Sequence, residues 1–263
     1  MFRSADVGRF AGCDSGDPRS RTVRTGLVAC RFHRRWSTGN RARGVKAVPS
    51  LEFENELRAD GAGVVAGVDE VGKGAWAGPL VVCAAVIRSD VAPDVLVARD
   101  SKTFAEKKRE LLFDTVAAQC SHWALGVVTA DECDRLGMSN AQRLAAKRAV
   151  MGLGVRVDAV IADGKWDFVS PLVPRVVMRV KADSSSASVA AASVLAKVSR
   201  DRMMREFAVE HPHWNFEGNK GYPCPKHRDG LRAHGTSPIH RVSWAFMDNL
   251  GLTTPKTLFE PNL

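Results

Sequence analysis

Nowhere in the 263 residues does an apolar run approach the roughly 18 needed to cross a bilayer, so a membrane protein is not expected. The N-terminus lacks the continuous apolar stretch of a secretory signal. Cysteines are few, six in all, and none form a C-x-x-C pair or a Cys/His cluster with zinc spacing. Structural zinc and a disulfide framework are thereby excluded as organising devices, and a reducing cytoplasmic setting is the expectation. There is one tyrosine, Tyr222, and no internal repeat. What remains is an ordinary globular composition with a basic excess, a formal net charge of +9.

That excess is unevenly placed. Residues 1–50 hold 11 Lys and Arg against Asp6, Asp14 and Asp17, a net of +8, while the rest carries 27 bases and 26 acids. The first 50 residues are rich in Arg, Gly and Ser without a sustained apolar period, and read as a disordered extension. A nucleic-acid arm, an Arg-rich targeting segment and a translated stretch upstream of the true start all fit it. A polyanionic partner suits the charge, but the nearly neutral body must declare its function by other means.

From Leu51 short apolar runs read as buried strands: Val64–Val68, Leu80–Ile87, Trp123–Thr129, Val157–Ala162 and Val176–Val180. Capping-box patterns place helices after Thr103 (with Glu106, running to about Gln119) and after Ser139 (with Gln142, running to about Met151). A third helix starts near Ser186 and carries Ala191, Val194, Leu195 and Val198 on one face. After Pro212 the texture turns irregular and aromatic. The expected organisation is an α/β domain over 51–205, a mixed sheet flanked by helices, with a small helical C-terminal region over 206–263.

Carboxylates stand where strands end: Asp69 and Glu70, then Asp163, then Asp183. Strand ends of an open α/β sheet converge on a crevice, and acids gathered there repel one another unless protonated or bridged by cations. Oxygen donors without His or Cys favour hard ions, Mg²⁺ or Mn²⁺. Any single one of these aspartates reads better as a turn or cap residue, and Asp163-Gly164 is a common turn dipeptide. Asp69-Glu70 inside an apolar, Gly-rich stretch is harder to explain that way. Asp201, three residues after Val198, continues the apolar stripe and so faces inward. The stretch Gly67-Val-Asp-Glu-Val-Gly-Lys73-Gly74 approaches a phosphate-binding P-loop, but Gly74 replaces the hydroxyl that would hold magnesium, and two acids inside the loop would repel a triphosphate.

Extended to Leu80, the same stretch resembles the signature of bacterial ribonuclease HII. Further blocks follow in that family's order: Asp100-Ser-Lys102, Ala162-Asp-Gly164, Lys181-Ala-Asp183, Ala190 through Asp201, Lys220-Gly-Tyr222 with His227, and Ser237-Pro-Ile-His-Arg241. The resemblance covers about residues 64–247. It implies a ribonuclease H-like fold whose C-terminal region clamps the duplex. It implies that Asp69, Glu70, Asp163 and Asp183 hold two divalent ions, with Asp201 in a supporting catalytic role. Cleavage on the 5′ side of a ribonucleotide, in an RNA–DNA hybrid or singly embedded in duplex DNA, would leave 3′-hydroxyl and 5′-phosphate ends.

Gly72, Lys73 and Gly74 fall on the family's 2′-hydroxyl-reading turn, with Lys73 where the family has Arg. The bidentate guanidinium contact is lost by that change and backbone readout is kept. Tyr222 matches the residue that packs on the sugar at the RNA–DNA junction, and Ser101 and Lys102 match phosphate contacts. The resemblance further implies a cytoplasmic enzyme, expected as a monomer. A resolvase- or integrase-type nuclease with the same acids and a hybrid-binding module without catalysis are the rival readings.

Overall fold

Short apolar runs make the strands, and the central ones are buried along almost their whole length. In the computed structural model, which describes residues 49–92, Leu96 and 105–245, the strands are β1 (Val65–Val71), β2 (Leu80–Ile87), β3 (Cys120–Val128), β4 (Ala159–Asp163) and β5 (Arg175–Arg179). They form one sheet in the order β3-β2-β1-β4-β5. The chain meanders antiparallel from β1 through β3, then crosses over so that β4 lies parallel to β1 and β5 parallel to β4. This is the expected mixed sheet.

Helices cover both faces, as strands buried on both sides require. Helix α3 (Ala130–Gly152) packs Ala141, Ala145, Ala146 and Ala149 against Val68, Leu80, Val82 and Ala162. On the opposite face α2 (Glu106–Ala118) and α4 (Ala187–Glu210) cover Cys83, Ala85 and Ile87. Beside them α1 (Glu52–Ala59) adds Leu57 to a cluster with Val65, Ile161 and Val189. Gly67 explains how α4 lies so low on β1: a Cβ there would stand 2.2 Å from the Ser188 carbonyl carbon and the Val189 nitrogen. Buried Glu54 fastens α1 to the start of α4, its Oε1 accepting from the Ser186 and Ser188 hydroxyls (2.6 Å each) and the Ser188 amide (2.9 Å). A carboxylate suits that helix N-terminus.

The strand and helix positions follow the sequence reading, with informative differences at their ends. β1 continues through Val71, so Asp69 and Glu70 lie within the strand rather than after it. α2 begins at Glu106 behind Ala105, without a side-chain cap. Thr103 lies outside the described residues, and Glu106 is instead drawn to Arg205 (2.7 Å) and Lys220 (3.0 Å). α3 starts nine residues before Ser139. Its capping box is Thr129 with Glu132, both bonds formed, and Gly137 (φ 72°) breaks the helix where a fresh start at Ser139 was expected. Gln142 is buried and its Oε1 accepts no bond among the described residues, so it does not cap.

Helix α4 runs from its Ser186 cap through residue 205 to Glu210 without interruption. Met204 there seeds a second small core with Ala77, Trp214, Phe216 and Leu231, which gathers α5 (Phe216–Asn219) and α6 (Pro225–His234). At the other end Ser50 already belongs to the fold, bonding through its backbone to Ser185 and Ala187. Among the described residues no helix is long and apolar enough to cross a membrane.

Candidate active site

Parallel pairing brings the acids together. Val68 on β1 pairs with Ala162 on β4, so Asp69 and Asp163 emerge side by side from the carboxyl ends of neighbouring strands. Asp163 in turn pairs with Arg179, the last residue of β5. From there the chain turns through Lys181, whose φ of 60° reverses its direction, and a short 3₁₀ turn (Ala182–Ser184) returns Asp183 to the same place. The Ala182 amide donates to Asp163 Oδ1 (2.9 Å) and locks that return. Asp69, Asp163 and Asp183 each present an oxygen within 4.8 Å of the others.

The three acids line an open cleft of about 350 Å³ together with Glu70, Ser193, Arg109 and Lys197. Asp69 shares the α4-facing side of β1 with Gly67, and one helical turn beyond Val189 the Ser193 hydroxyl meets it. Burial above all pushes the Asp69 carboxyl up to about 7, the charges of Glu70 and Asp163 add to this, and the Ser193 hydroxyl and Glu70 amide oppose it. Glu70 is also raised, first by burial and then by Asp163, against the pull of Lys73 at 3.7 Å. Its Oε2 is buried without a hydrogen-bond partner among the described residues. Converging carboxylate oxygens, one of them unsatisfied, suit a hard divalent cation. Asp201 is buried nearby on α4, but its Oδ1 is engaged by Lys197 (2.6 Å) and it lies outside the close triad.

The turn that leaves β1 carries the second feature. Gly72 has φ 87°, a conformation glycine adopts without strain, and its amide donates to Tyr222 Oη (3.1 Å) across 150 residues of sequence. A Cβ on Gly72 would also fall 2.2 Å from Arg200 Nε, whereas one on Gly74 would meet open space. The Lys73 side-chain nitrogen reaches back to Glu70 (3.7 Å). Ser101 and Lys102 lie outside the described residues.

Comparison with known proteins places the chain. The Ribonuclease HII family model matches residues 66–247. The chain belongs to the ribonuclease HII family. A ribonuclease HII of Streptomyces avermitilis is 48% identical over 204 residues, covering 77% of this chain and 86% of that one. Among solved structures, the ribonuclease H2 of Pyrococcus horikoshii superposes with a TM-score of 0.62 at 27% identity, over 71% of this chain and 96% of its own. The ribonuclease HII of Archaeoglobus fulgidus, solved in complex with PCNA, gives 0.60 at 25%, over 73% and 98%. The fold is ribonuclease H-like and the chain is a hydrolase with ribonuclease H activity.

The fold brings three of the expected acids together and sets the Gly72 turn against Tyr222, and residues with no expected role brace both. Ser193, Arg200 and Arg241 sit inside family blocks, yet only the folded chain shows what they touch. Trp166 is 39% exposed beneath the Arg143 guanidinium (4.7 Å).

Proposed function

We propose that this enzyme cuts the phosphodiester on the 5′ side of a ribonucleotide, both within RNA–DNA hybrids and at single ribonucleotides embedded in duplex DNA, leaving 3′-hydroxyl and 5′-phosphate ends. One observation carries this reading: Asp69 of the acid triad lies within β1 and Gly72, which meets Tyr222, lies just past its end, three residues on. A cleavage centre thus adjoins a group able to recognise a sugar hydroxyl, the feature that distinguishes RNA from DNA.

Asp69, Glu70, Asp163 and Asp183 would hold two Mg²⁺ or Mn²⁺ ions, which when bound supply an activated water and neutralise charge on the departing O3′. The chain's own work is positional. The strand register fixes the carboxylates before substrate arrives, and Ser193 and the Ala182 amide orient two of them. Arg109 and Lys197 on the cleft wall offset phosphate charge. Asp201 holds Lys197 in place on the cleft wall, a supporting role beside the metal-holding acids. The Gly72 amide and the Tyr222 hydroxyl, bonded to each other here, each have a hydrogen-bonding role to offer a 2′-hydroxyl. Ser101 and Lys102 contribute phosphate contacts, and the protein works as a monomer in the cytoplasm.

Cleavage of a duplex with one embedded ribonucleotide, with Mg²⁺ or Mn²⁺ and then with chelator, tests the reading. A single cut 5′ of the ribonucleotide, abolished by chelator, is expected. Equal cutting of the all-DNA duplex would assign the acids to a resolvase-type nuclease, and binding without cutting to a non-catalytic module.

A further inference from the structure

Two arginines, Arg200 and Arg241, are fully buried behind the Gly72 turn, and both spend their donors on main-chain carbonyls. Arg200 on α4 donates from Nε to Pro79 O (2.8 Å), from Nη2 to Ala77 O (3.1 Å) and from Nη1 to Lys220 O (2.8 Å). Arg241 donates from Nη1 to Lys73 O (3.1 Å) and from Nε and Nη2 to Gly78 O (3.2 and 3.0 Å). Five carbonyls are thereby fixed: four in the turn between β1 and β2, and one two residues before Tyr222.

We infer that Arg200 and Arg241 are positioning residues for ribonucleotide recognition, locking the 72–79 turn and Tyr222 into one reading element at a set offset from the catalytic carboxylates. Plain packing would not call for them, because a buried cation facing carbonyls rather than a carboxylate costs more than an apolar side chain of similar volume. Burial pulls the Arg200 guanidinium down to about 10, so it remains charged at neutral pH. What the guanidinium adds is a rigid planar fork that sets several acceptors at once, which an ammonium on a flexible stem does not.

Helix α4 supplies the offset. Ser193, which bonds Asp69, and Arg200, which bonds the turn, are seven residues apart on one face, about 10 Å along the axis. A shift of about 1 Å between reader and carboxylates would misplace the scissile phosphate.

The inference rests on Tyr222 and the turn being the ribose reader, so its test includes Tyr222→Phe. Steady-state cleavage would be compared on a duplex with one ribonucleotide and on a long hybrid. The variants are Arg200→Lys, Arg241→Lys, Tyr222→Phe and the Arg200→Lys/Tyr222→Phe double, each checked for folding by near-ultraviolet circular dichroism. Arg200→Lys should lower kcat/KM on the single ribonucleotide about tenfold and on the hybrid no more than about threefold, because the hybrid offers alternative registers.

The double variant should discriminate no worse than the weaker single, since both changes act on one element. Equal losses on both substrates, or fully multiplied losses in the double, would overturn the inference. An unchanged substrate ratio in Tyr222→Phe would instead remove the reader itself. A shifted ratio in Tyr222→Phe but in neither arginine variant would remove only the positioning role. Should Arg200→Lys not fold, Arg241→Lys carries the comparison through Lys73 O, and failure of both to fold assigns the arginines to the scaffold alone.

Discussion

The carboxylate centre and the Gly72 turn adjoin each other but are built on opposite principles. At the centre, like charges are forced together at strand ends, one carboxyl is pushed up to about 7 and an oxygen of Glu70 is left unsatisfied. At the turn, hydrogen bonds satisfy the groups that meet there. Gly72 donates to Tyr222, two guanidiniums serve five carbonyls, and His227 and His240 join through their Nε2 atoms (2.9 Å). The centre holds tension that a cation relieves, whereas the turn holds a shape. Substitutions should therefore act on them with opposite balances of stability and rate.

The largest contrast is expected at Asp69. Asp69→Asn removes a buried charge among like charges, so turnover should fall on the order of a thousandfold while the metal-free protein melts at a higher temperature. Hybrid binding should be largely retained. Single-turnover cleavage, a binding titration and a melting curve check this, and a lowered melting point would show that the acids are not mutually repelling in the free enzyme.

Adding one methyl group to each region sharpens the comparison. Gly67→Ala drives a Cβ into the backbone of Ser188 and Val189, lifting α4 and Ser193 from Asp69. It should cost about 1–3 kcal/mol of stability and slow cleavage of every substrate alike. Gly72→Ala imposes a left-handed strain of about 1–2 kcal/mol and collides with Arg200, so it should impair single ribonucleotides more than hybrids. Identical substrate profiles for the two variants would dissolve the distinction between centre and turn.

How much of this the sequence discloses differs between the two regions for the same reason. The acids announce themselves locally: apolar runs mark β1 and β4, and Asp69-Glu70 and Asp163 close or follow those runs. Ser186 as the cap of α4 and Asp201 on its inner face are legible by periodicity. The braces of the turn are not, because their bonds to the turn itself join residues 121 to 168 positions apart and the acceptors are carbonyls that every residue carries. Thr129-Glu132 was as readable a capping box as Ser139-Gln142. A helix does resume beside Ser139 after the kink at Gly137, but among the described residues only the Thr129-Glu132 box forms both its bonds, because β3 ends at Val128 and the chain must turn there.

Titration should separate the regions by sign. Asp69 has a folded-state pKa raised from 3.8 to about 7, so the folded protein holds more protons across that span and stability falls as pH rises through it. His240 is pulled down to about 3, chiefly by burial and then by His227. The Ser237 amide donates to its Nδ1 (2.8 Å), so its Nε2 carries the hydrogen toward His227. Here the unfolded chain holds more protons, and stability is lost as pH falls below about 6.5. Each group contributes a slope of about 1.4 kcal/mol per pH unit within its window. Melting curves in chelator should lose a fall with rising pH between about 3.8 and 7 in Asp69→Asn, and lose a rise with rising pH between about 3 and 6.5 in His240→Asn. Mg²⁺ or Mn²⁺ should raise the melting temperature more at pH 8 than at pH 6, because binding requires the deprotonated carboxylates.

The smallest effect is expected outside both regions. Eight of the nine formal charges lie in residues 1–50, beyond the span that matches the family, while the body that carries the acids is nearly neutral. Ser50 bonds the start of α4, so the informative deletion stops short of it, at residue 45. That deletion removes ten Arg and the three acids, a net of +7, and leaves every residue of the cleft and turn in place. Screened, sequence-independent attraction to phosphate should weaken: KM at low salt should rise a few-fold, and the dependence of log KM on log salt should become shallower. Turnover at saturating substrate should not change. A lower kcat would mean that the basic segment reaches the reacting complex, and an unchanged salt slope would mean that duplex affinity resides wholly in the body that also cuts.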